Sequence, residues 1–256
     1  MVGALLYQKN NMKIVCSKTG SSGNFSIITD GNSYLAIDAG LKIDKCQQIS
    51  KYQLHKINGI IITHNHSDHI SHLKDFIRMG KVVYAPEDVW HKIGNLGAYK
   101  RYCKSLSSLR TKGIEIGSFI IKPFKVKHLN SDLTECNNYG YLIDSKVTKE
   151  KMLWITDCAY INNTFPPVDY ICIECNYVDI ENYTEEELNY ISNISVEKRR
   201  FDSHLSLSRC IKFLKKQDLS KIKFIKLLHL SESQGNIKQT ILDKMQDEFK
   251  GVDFFL

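Results

Sequence analysis

Apolar positions come in short runs that suit strands, with helical spacing between them and through most of the last third of the chain. Residues 12–16 begin a strand. Residues 25–29 and 34–37 form a hairpin around Asp30-Gly31-Asn32, residue types that favour a tight turn. Ile43, Cys46 and Ile49 share one face of a helix over 42–52. An apolar strand over 57–63 is followed by Ile70, Leu73, Phe76 and Ile77, which stripe a helix that ends at Gly80. A short strand over 82–85 closes at Pro86, and Val89, Trp90 and Ile93 mark a short helix before a basic, loop-rich stretch. Strands follow over 114–116 and 119–128. In the second, Phe124, Val126 and His128 share one face and Lys125 and Lys127 the other. Runs over 139–143 and 152–157 pair around a turn, and 168–175 is a further strand. The capping box Thr184-Glu185-Glu186-Glu187 opens a helix to about Ile194. Leu207, Cys210, Ile211 and Leu214 stripe another, 224–230 is a buried strand, and Ile237, Ile241 and Met245 stripe the last helix. Strands with helices inserted between them predict a layered α/β protein.

The strand over 57–63 runs directly into Thr63-His64-Asn65-His66-Ser67-Asp68-His69. This stretch holds three of the chain's nine histidines. His64 and His66 point the same way off an extended segment. Asp68 and His69 lie beyond a turn and can reach a second position. Imidazole and carboxylate without thiolate suit zinc or manganese. Two adjacent ions need more ligands, and a bridging carboxylate is the usual means of holding them about 3.5–4 Å apart. His128, Asp157 and His229 each end an apolar strand, and His204 precedes a helix. Singly, each also fits a core or capping residue; jointly, they point to one site.

The chain has 256 residues and a formal net charge of +7, which favours an anionic partner such as a nucleic acid or nucleotide. No apolar run approaches the ~20 residues of a membrane span, and the first residues lack a secretory pattern. These features predict a cytoplasmic protein without a membrane partner, and reduced thiols for its eight cysteines. Cys172-Ile173-Glu174-Cys175 reads as strand packing. Glu174 is equally suited to supporting the site or capping its strand. Residues 1–11 read as an extension and 12–256 as one domain.

From Met12 onward the chain resembles the metallo-β-lactamase superfamily, on His64-x-His66-x-Asp68-His69 with Asp38, His128, Asp157 and His229 in order. The resemblance implies an α/β fold, a four-layer αββα sandwich of two mixed sheets flanked by helices. It implies a site for two divalent metal ions: His64, His66 and His128 on the first, Asp68, His69 and His229 on the second, Asp157 bridging, and Asp38 supporting the first loop. Gly20-Ser21-Ser22-Gly23-Asn24, Asp38-Ala39-Gly40, His204-Leu205-Ser206 and Leu228-His229-Leu230-Ser231 resemble the small bacterial and phage exonuclease-like branch, akin to ribonucleases J and Z. That branch implies a phosphodiesterase, a DNA 5′-exonuclease-like nuclease, with Asp68 and His204 as catalytic residues. The reverse assignment, His204 as ligand and His229 beside substrate, stays open at this point. So does a small-molecule hydrolase: a cyclic-nucleotide phosphodiesterase, thioesterase or lactonase. Lys198-Arg199-Arg200 and the lysines over 212–226 predict a phosphate-tracking surface near His204. The oligomeric state is open, with a homodimer as one option.

Overall fold

The computed structural model describes residues 11–106, 113–130, 132, 134–179, 203–230 and 237–256. Strands β1 (Lys13–Lys18), β2 (Phe25–Thr29), β3 (Tyr34–Ile37), β4 (Ile57–Ile61), β5 (Val83–Ala85) and β6 (Cys103–Ser105) lie in chain order in one sheet. The second sheet runs in chain order through β7 (Ile114–Ile116), β8 (Phe119–Val126), β9 (Asn138–Ser145), β10 (Lys151–Ile155), β11 (Tyr170–Glu174), β12 (Phe224–Leu228) and β13 (Phe254–Phe255). Both sheets are mixed. Each begins with antiparallel neighbours, then turns parallel, from β3 in the first and from β10 in the second.

Side-chain alternation along the strands builds the layers. Ile28, Leu35, Ile37, Ile61, Met152, Trp154 and Tyr170 meet between the sheets. Phe25, Ile27, Ala36 and Ile60 face the other way and pack on Cys46 of α1 (Ile43–Ile49), Leu73, Phe76 and Ile77 of α3 (Leu73–Arg78), and Val89 of α4 (Glu87–Ile93). Leu153, Ile155, Ile171 and Ile173 pack on Leu207 and Phe213 of α5 (Leu207–Leu214) and Ile241 and Met245 of α6 (Ile237–Glu248). The result is the αββα sandwich that the resemblance implies. Strands buried on both faces are apolar almost throughout, as over Ile60 and Ile61 of β4 and Tyr170–Ile173 of β11. Each such large side chain contributes about 1.5–3 kcal/mol by leaving water.

The polar turn of the β2–β3 hairpin joins the sheets. Buried Asp30 accepts hydrogen bonds from Ser118 Oγ (2.6 Å), Ser145 Oγ (2.7 Å) and the amides of Asn32 (3.0 Å) and Ser33 (2.9 Å). Ser118 and Ser145 belong to the second sheet's end of the molecule, so one carboxylate clamps both layers.

Three features differ from the sequence reading. The helix expected to run from Ile70 to Gly80 is two pieces, α2 (Ser67–Ile70) and α3. The His72 amide donates to Ala39 O (3.0 Å) instead of continuing the helix. The stretch after α4 contains a 3₁₀ turn (Gly97–Tyr102) and β6, and the chain ends with β13. Both strands are too short to show alternation. The helix expected over 184–194 lies outside the described residues. Cys172 packs between the sheets and Cys175 beneath α5, as strand packing requires.

Candidate metal centre

The strands that turn parallel end on one side, where open α/β sheets place their ligands. Asp38 follows β3, the motif loop follows β4, and His128 follows β8. Asp157 follows β10, Glu174 ends β11, and His229 follows β12. Three of these residues turn the chain with left-handed backbones: Asp38 (φ 62°), Asp157 (φ 51°) and His229 (φ 53°). For non-glycine residues such a conformation costs about 1–3 kcal/mol. Here it brings each side chain to the site in one step from a rigid strand.

The loop over 38–40 sits hard against the motif. Ala39 N donates to His69 O (2.7 Å), Gly40 N to Asn24 O (2.9 Å) and Asn24 N to Asp68 O (2.7 Å). A Cβ on Gly40 would lie 1.6 Å from Asp68 O, so only glycine permits this approach. Asp38 accepts from Thr63 N (2.9 Å), Thr63 Oγ1 (2.9 Å) and His69 Nδ1 (2.8 Å), which anchors the start of the motif and one of its rings.

The hydrogen-bond network sets the tautomers. His128 Nδ1 lies 2.8 Å from Ser203 O and donates to it, so Nε2 carries a lone pair. His66 Nε2 lies 3.1 Å from Asn130 Oδ1 and donates to it, so Nδ1 carries a lone pair. These two lone pairs face each other at 3.2 Å. His64 Nδ1 meets Thr63 Oγ1 (3.0 Å), and its buried Nε2 has no hydrogen-bond partner. The ligand atoms of His64, His66 and His128 lie within 4.8 Å of one another. Three imidazole lone pairs converging in a buried space repel one another unless a cation lies among them, so the donor set fits a divalent ion. Burial holds the pKa of His64 well below its usual value, lowers His66, and pushes His128 down to about 4, which keeps these rings neutral as ligands must be.

A second cluster adjoins the first. His69 Nε2 lies 3.2 Å from Asp157 Oδ2 and 3.4 Å from Asp68 Oδ2. Asn24 Nδ2 donates to Asp68 Oδ2 (2.9 Å) and approaches His69 Nε2 at the same distance. His229 Nδ1 lies 2.8 Å from Asp157 Oδ1. Asp157 Oδ2 is also 3.9 Å from His64 Nε2, so this carboxylate touches both clusters. Burial opposes charge on Asp157, but His229 and His69 outweigh it and hold its pKa well below the carboxylate range. In the same way burial disfavours a charged His229 or His69. The carboxylates outweigh it, Asp157 raising His229 to about 10, and Asp38 and Asp157 raising His69 well above its usual value, so a cation bound here would displace protons from both rings.

Glu174 resolves in favour of the site. Fully buried, its Oε1 accepts from His204 Nδ1 (2.7 Å) and His229 Nδ1 (2.9 Å), while Oε2 accepts from the amides of Cys158 (2.8 Å) and Leu205 (3.0 Å). His204 therefore leans on Glu174, whereas His229 also touches Asp157. His204 remains partly open to solvent. Asn24, Asn130 and Asn138, whose side chain donates to Asp157 O, carry no ligand signature in the sequence. Only Asn24, inside the Gly20–Asn24 loop, could have been found from its motif.

Part of the lysine set expected beside His204 is engaged elsewhere. Lys223 precedes β12, six residue steps and about 20 Å from His229, and pairs with Glu150. Lys215 pairs with Glu248, and Lys226 donates to Leu256 O (2.6 Å). Strand direction carries the charges at the start of β12 away from the site. Lys198-Arg199-Arg200 and Ser231 lie outside the described residues. No helix among those described is long and apolar enough to cross a membrane.

A family model described as a beta-lactamase superfamily domain matches residues 34–225. Exodeoxyribonuclease YycJ of Bacillus anthracis is 29% identical over 153 residues, 57% of this chain and 54% of that protein. Exodeoxyribonuclease WalJ of Streptococcus pneumoniae serotype 2 (strain D39 / NCTC 7466) is 27% identical over 177 residues, 64% of this chain and 61% of that protein. The matches thus span little more than half of these relatives. The metallo-beta-lactamase fold protein YhfI from Bacillus subtilis superposes with a TM-score of 0.63 at 14% identity, covering 96% of this chain and 95% of that one.

Proposed function

The chain belongs to the beta-lactamase superfamily, and on that premise we propose that it is a binuclear metal-dependent phosphodiesterase, a nuclease of the DNA 5′-exonuclease type. The observation that carries this reading is Asp157, whose two oxygens touch His69 and His229 and which also lies 3.9 Å from His64 Nε2, one of the three converging imidazoles. His64, His66 and His128 would hold one ion, Asp68, His69 and His229 the other, and Asp157 would serve both. Bound ions supply Lewis acidity, lowering the pKa of water from ~15.7 toward ~7 and neutralising charge that develops on a phosphoryl group.

The remaining steps fall to the chain's own groups. Asp68, fixed by Asn24, orients the attacking water and takes its proton. Glu174 accepts the Nδ1 proton of His204, which turns Nε2 toward the cleft. There Nε2, when protonated, donates a hydrogen bond to a phosphate oxygen or delivers its proton to the leaving oxygen as its bond to phosphorus breaks. The ligand atoms of Asp157, Glu174, His204 and His229 all lie within 4.8 Å of one another; His229 is the preferred ligand because its Nδ1 lies 2.8 Å from Asp157, whereas among the described residues the short polar contact of His204 is to Glu174. A net charge of +7 and partial likeness to two exodeoxyribonucleases support a nucleic-acid substrate.

The test is a substrate panel with manganese or zinc: 5′-phosphorylated single- and double-stranded DNA, RNA, a cyclic nucleotide and bis(p-nitrophenyl) phosphate. Release of mononucleotides from DNA is the expected result. Hydrolysis of the cyclic nucleotide alone, without nucleic-acid binding, would assign the site to a small-molecule hydrolase instead.

A further inference from the structure

On the chain next to two of the candidate ligands stand a ring and a cation that the chemistry above does not use. Lys127, which precedes His128, and Tyr160, three residues after Asp157, form an isolated antiparallel bridge. Ala159 N donates to Lys127 O (2.8 Å), and Arg209 Nη1, five residues beyond His204, donates to Ala159 O (3.1 Å). The segment that presents Tyr160 is thus tied both to the end of β8 and to α5. Lys127 Nζ lies 5.4 Å from the centroid of the Tyr160 ring, and among the described residues no carboxylate pairs with it. The ring is 42% exposed, although it sits on a braced segment beside buried Ala159 and Ile161. Three residues of chain span at most about 11 Å, so the Tyr160 Cα lies no farther than that from the Asp157 Cα, and the ring is borne on the chain next to the candidate bridging carboxylate.

We propose that Tyr160 is the stacking platform, and Lys127 the phosphate contact, for a single-stranded segment of nucleic acid leading into this site. The inference rests on the phosphodiesterase reading and names its substrate class. An exposed aromatic ring on a rigid support offers its π-face to any base, which gives sequence-tolerant binding. The adjacent ammonium neutralises one backbone phosphate, which gives salt-dependent binding. A small-molecule substrate confined to the ligand cluster would touch neither group. The lysines at the start of β12 cannot take this role, since they lie at the wrong end of the strand.

The experiment uses the metal-loaded full chain and a phosphorothioate-protected 5′-phosphorylated strand of about 12 nucleotides, within the ~4–16 nucleotides such sites cover, as DNA and as RNA. Fluorescence anisotropy gives Kd against salt, and kcat/KM is measured for the unprotected strand and for bis(p-nitrophenyl) phosphate. Tyr160→Ala is expected to weaken binding at least about fivefold. It should lower kcat/KM for the strand by a similar factor relative to bis(p-nitrophenyl) phosphate, and Tyr160→Phe should restore both. Lys127→Ala should reduce the log–log salt slope by about 0.7. Wild-type affinity in Tyr160→Ala, or equal loss on both substrates, overturns the role of Tyr160. A wild-type protein that hydrolyses neither substrate overturns the phosphodiesterase reading itself, and this inference with it.

Discussion

His66 Nδ1 and His128 Nε2 face each other as two lone pairs 3.2 Å apart, because each ring's other nitrogen is committed to Asn130 or Ser203. Only a cation makes that arrangement favourable. The purified chain is therefore expected to take up about two divalent ions, and His66→Ala or His128→Ala to retain about one. Mass spectrometry of metal content after dialysis checks this. Unchanged stoichiometry in both variants would mean that the rings serve another purpose.

Glu174 and His204 form the second testable pair. His204→Ala should lower hydrolysis of nucleic acid by about 10²–10⁴-fold. Bis(p-nitrophenyl) phosphate should suffer far less, because nitrophenolate leaves without a proton. Glu174→Gln keeps an oxygen for one partner but turns an amide toward the donors of Cys158 and Leu205. It should share the substrate dependence of His204→Ala. Equal losses on both substrates would remove His204 from proton delivery.

The support of the motif loop is testable through metal affinity. Asp38→Ala removes the acceptor that fixes the Nδ1 proton of His69 and should weaken metal binding by about 10–100-fold. Gly40→Ala should act in the same direction, because the added carbon meets the Asp68 carbonyl. Competition with a fluorescent chelator measures both variants, and wild-type affinity in Asp38→Ala would contradict the role assigned to it.

Asp30 gives a stability prediction away from the chemistry. Burial works against its charge, but Ser118, Ser145 and two amides outweigh it and hold its pKa below the ordinary 3.8. The unfolded chain then binds more protons than the folded chain just below pH 4, so stability rises with pH across that window. The contribution is complete above about pH 4 and is lost as pH falls through the folded value. Asp30→Ala should cost about 1–3 kcal/mol at pH 7, and its urea midpoint should fall less than that of wild type between pH 5 and 3. Parallel acid profiles of the two metal-free chains would rule this out.

Much of this was legible in the sequence where side chains repeat or strands are long. The β2–β3 hairpin, β4, β10, β11 and the two late helices show their periods, and the candidate ligands His128, Asp157 and His229 each follow a strand end. Helices α2 and α3 were not separable, because Ile70, Leu73, Phe76 and Ile77 keep helical spacing across a break made by the distant Ala39 carbonyl. β6 and β13 are too short to carry a period. Glu174 was undecided because its value depends on His204 and His229, 30 and 55 residues away. Lys221 and Lys223 precede β12 and so lie a strand's length from His229, which nearness in sequence does not show.

The central claim is that Asp157 joins two metal positions into one hydrolytic site. Metal content and hydrolysis of bis(p-nitrophenyl) phosphate, measured together on wild type and Asp157→Ala, test it most directly. Asp157→Ala is expected to lose at least one ion and to fall in rate by at least about 10²-fold. An Asp157→Ala protein with wild-type metal content and wild-type rate would contradict it.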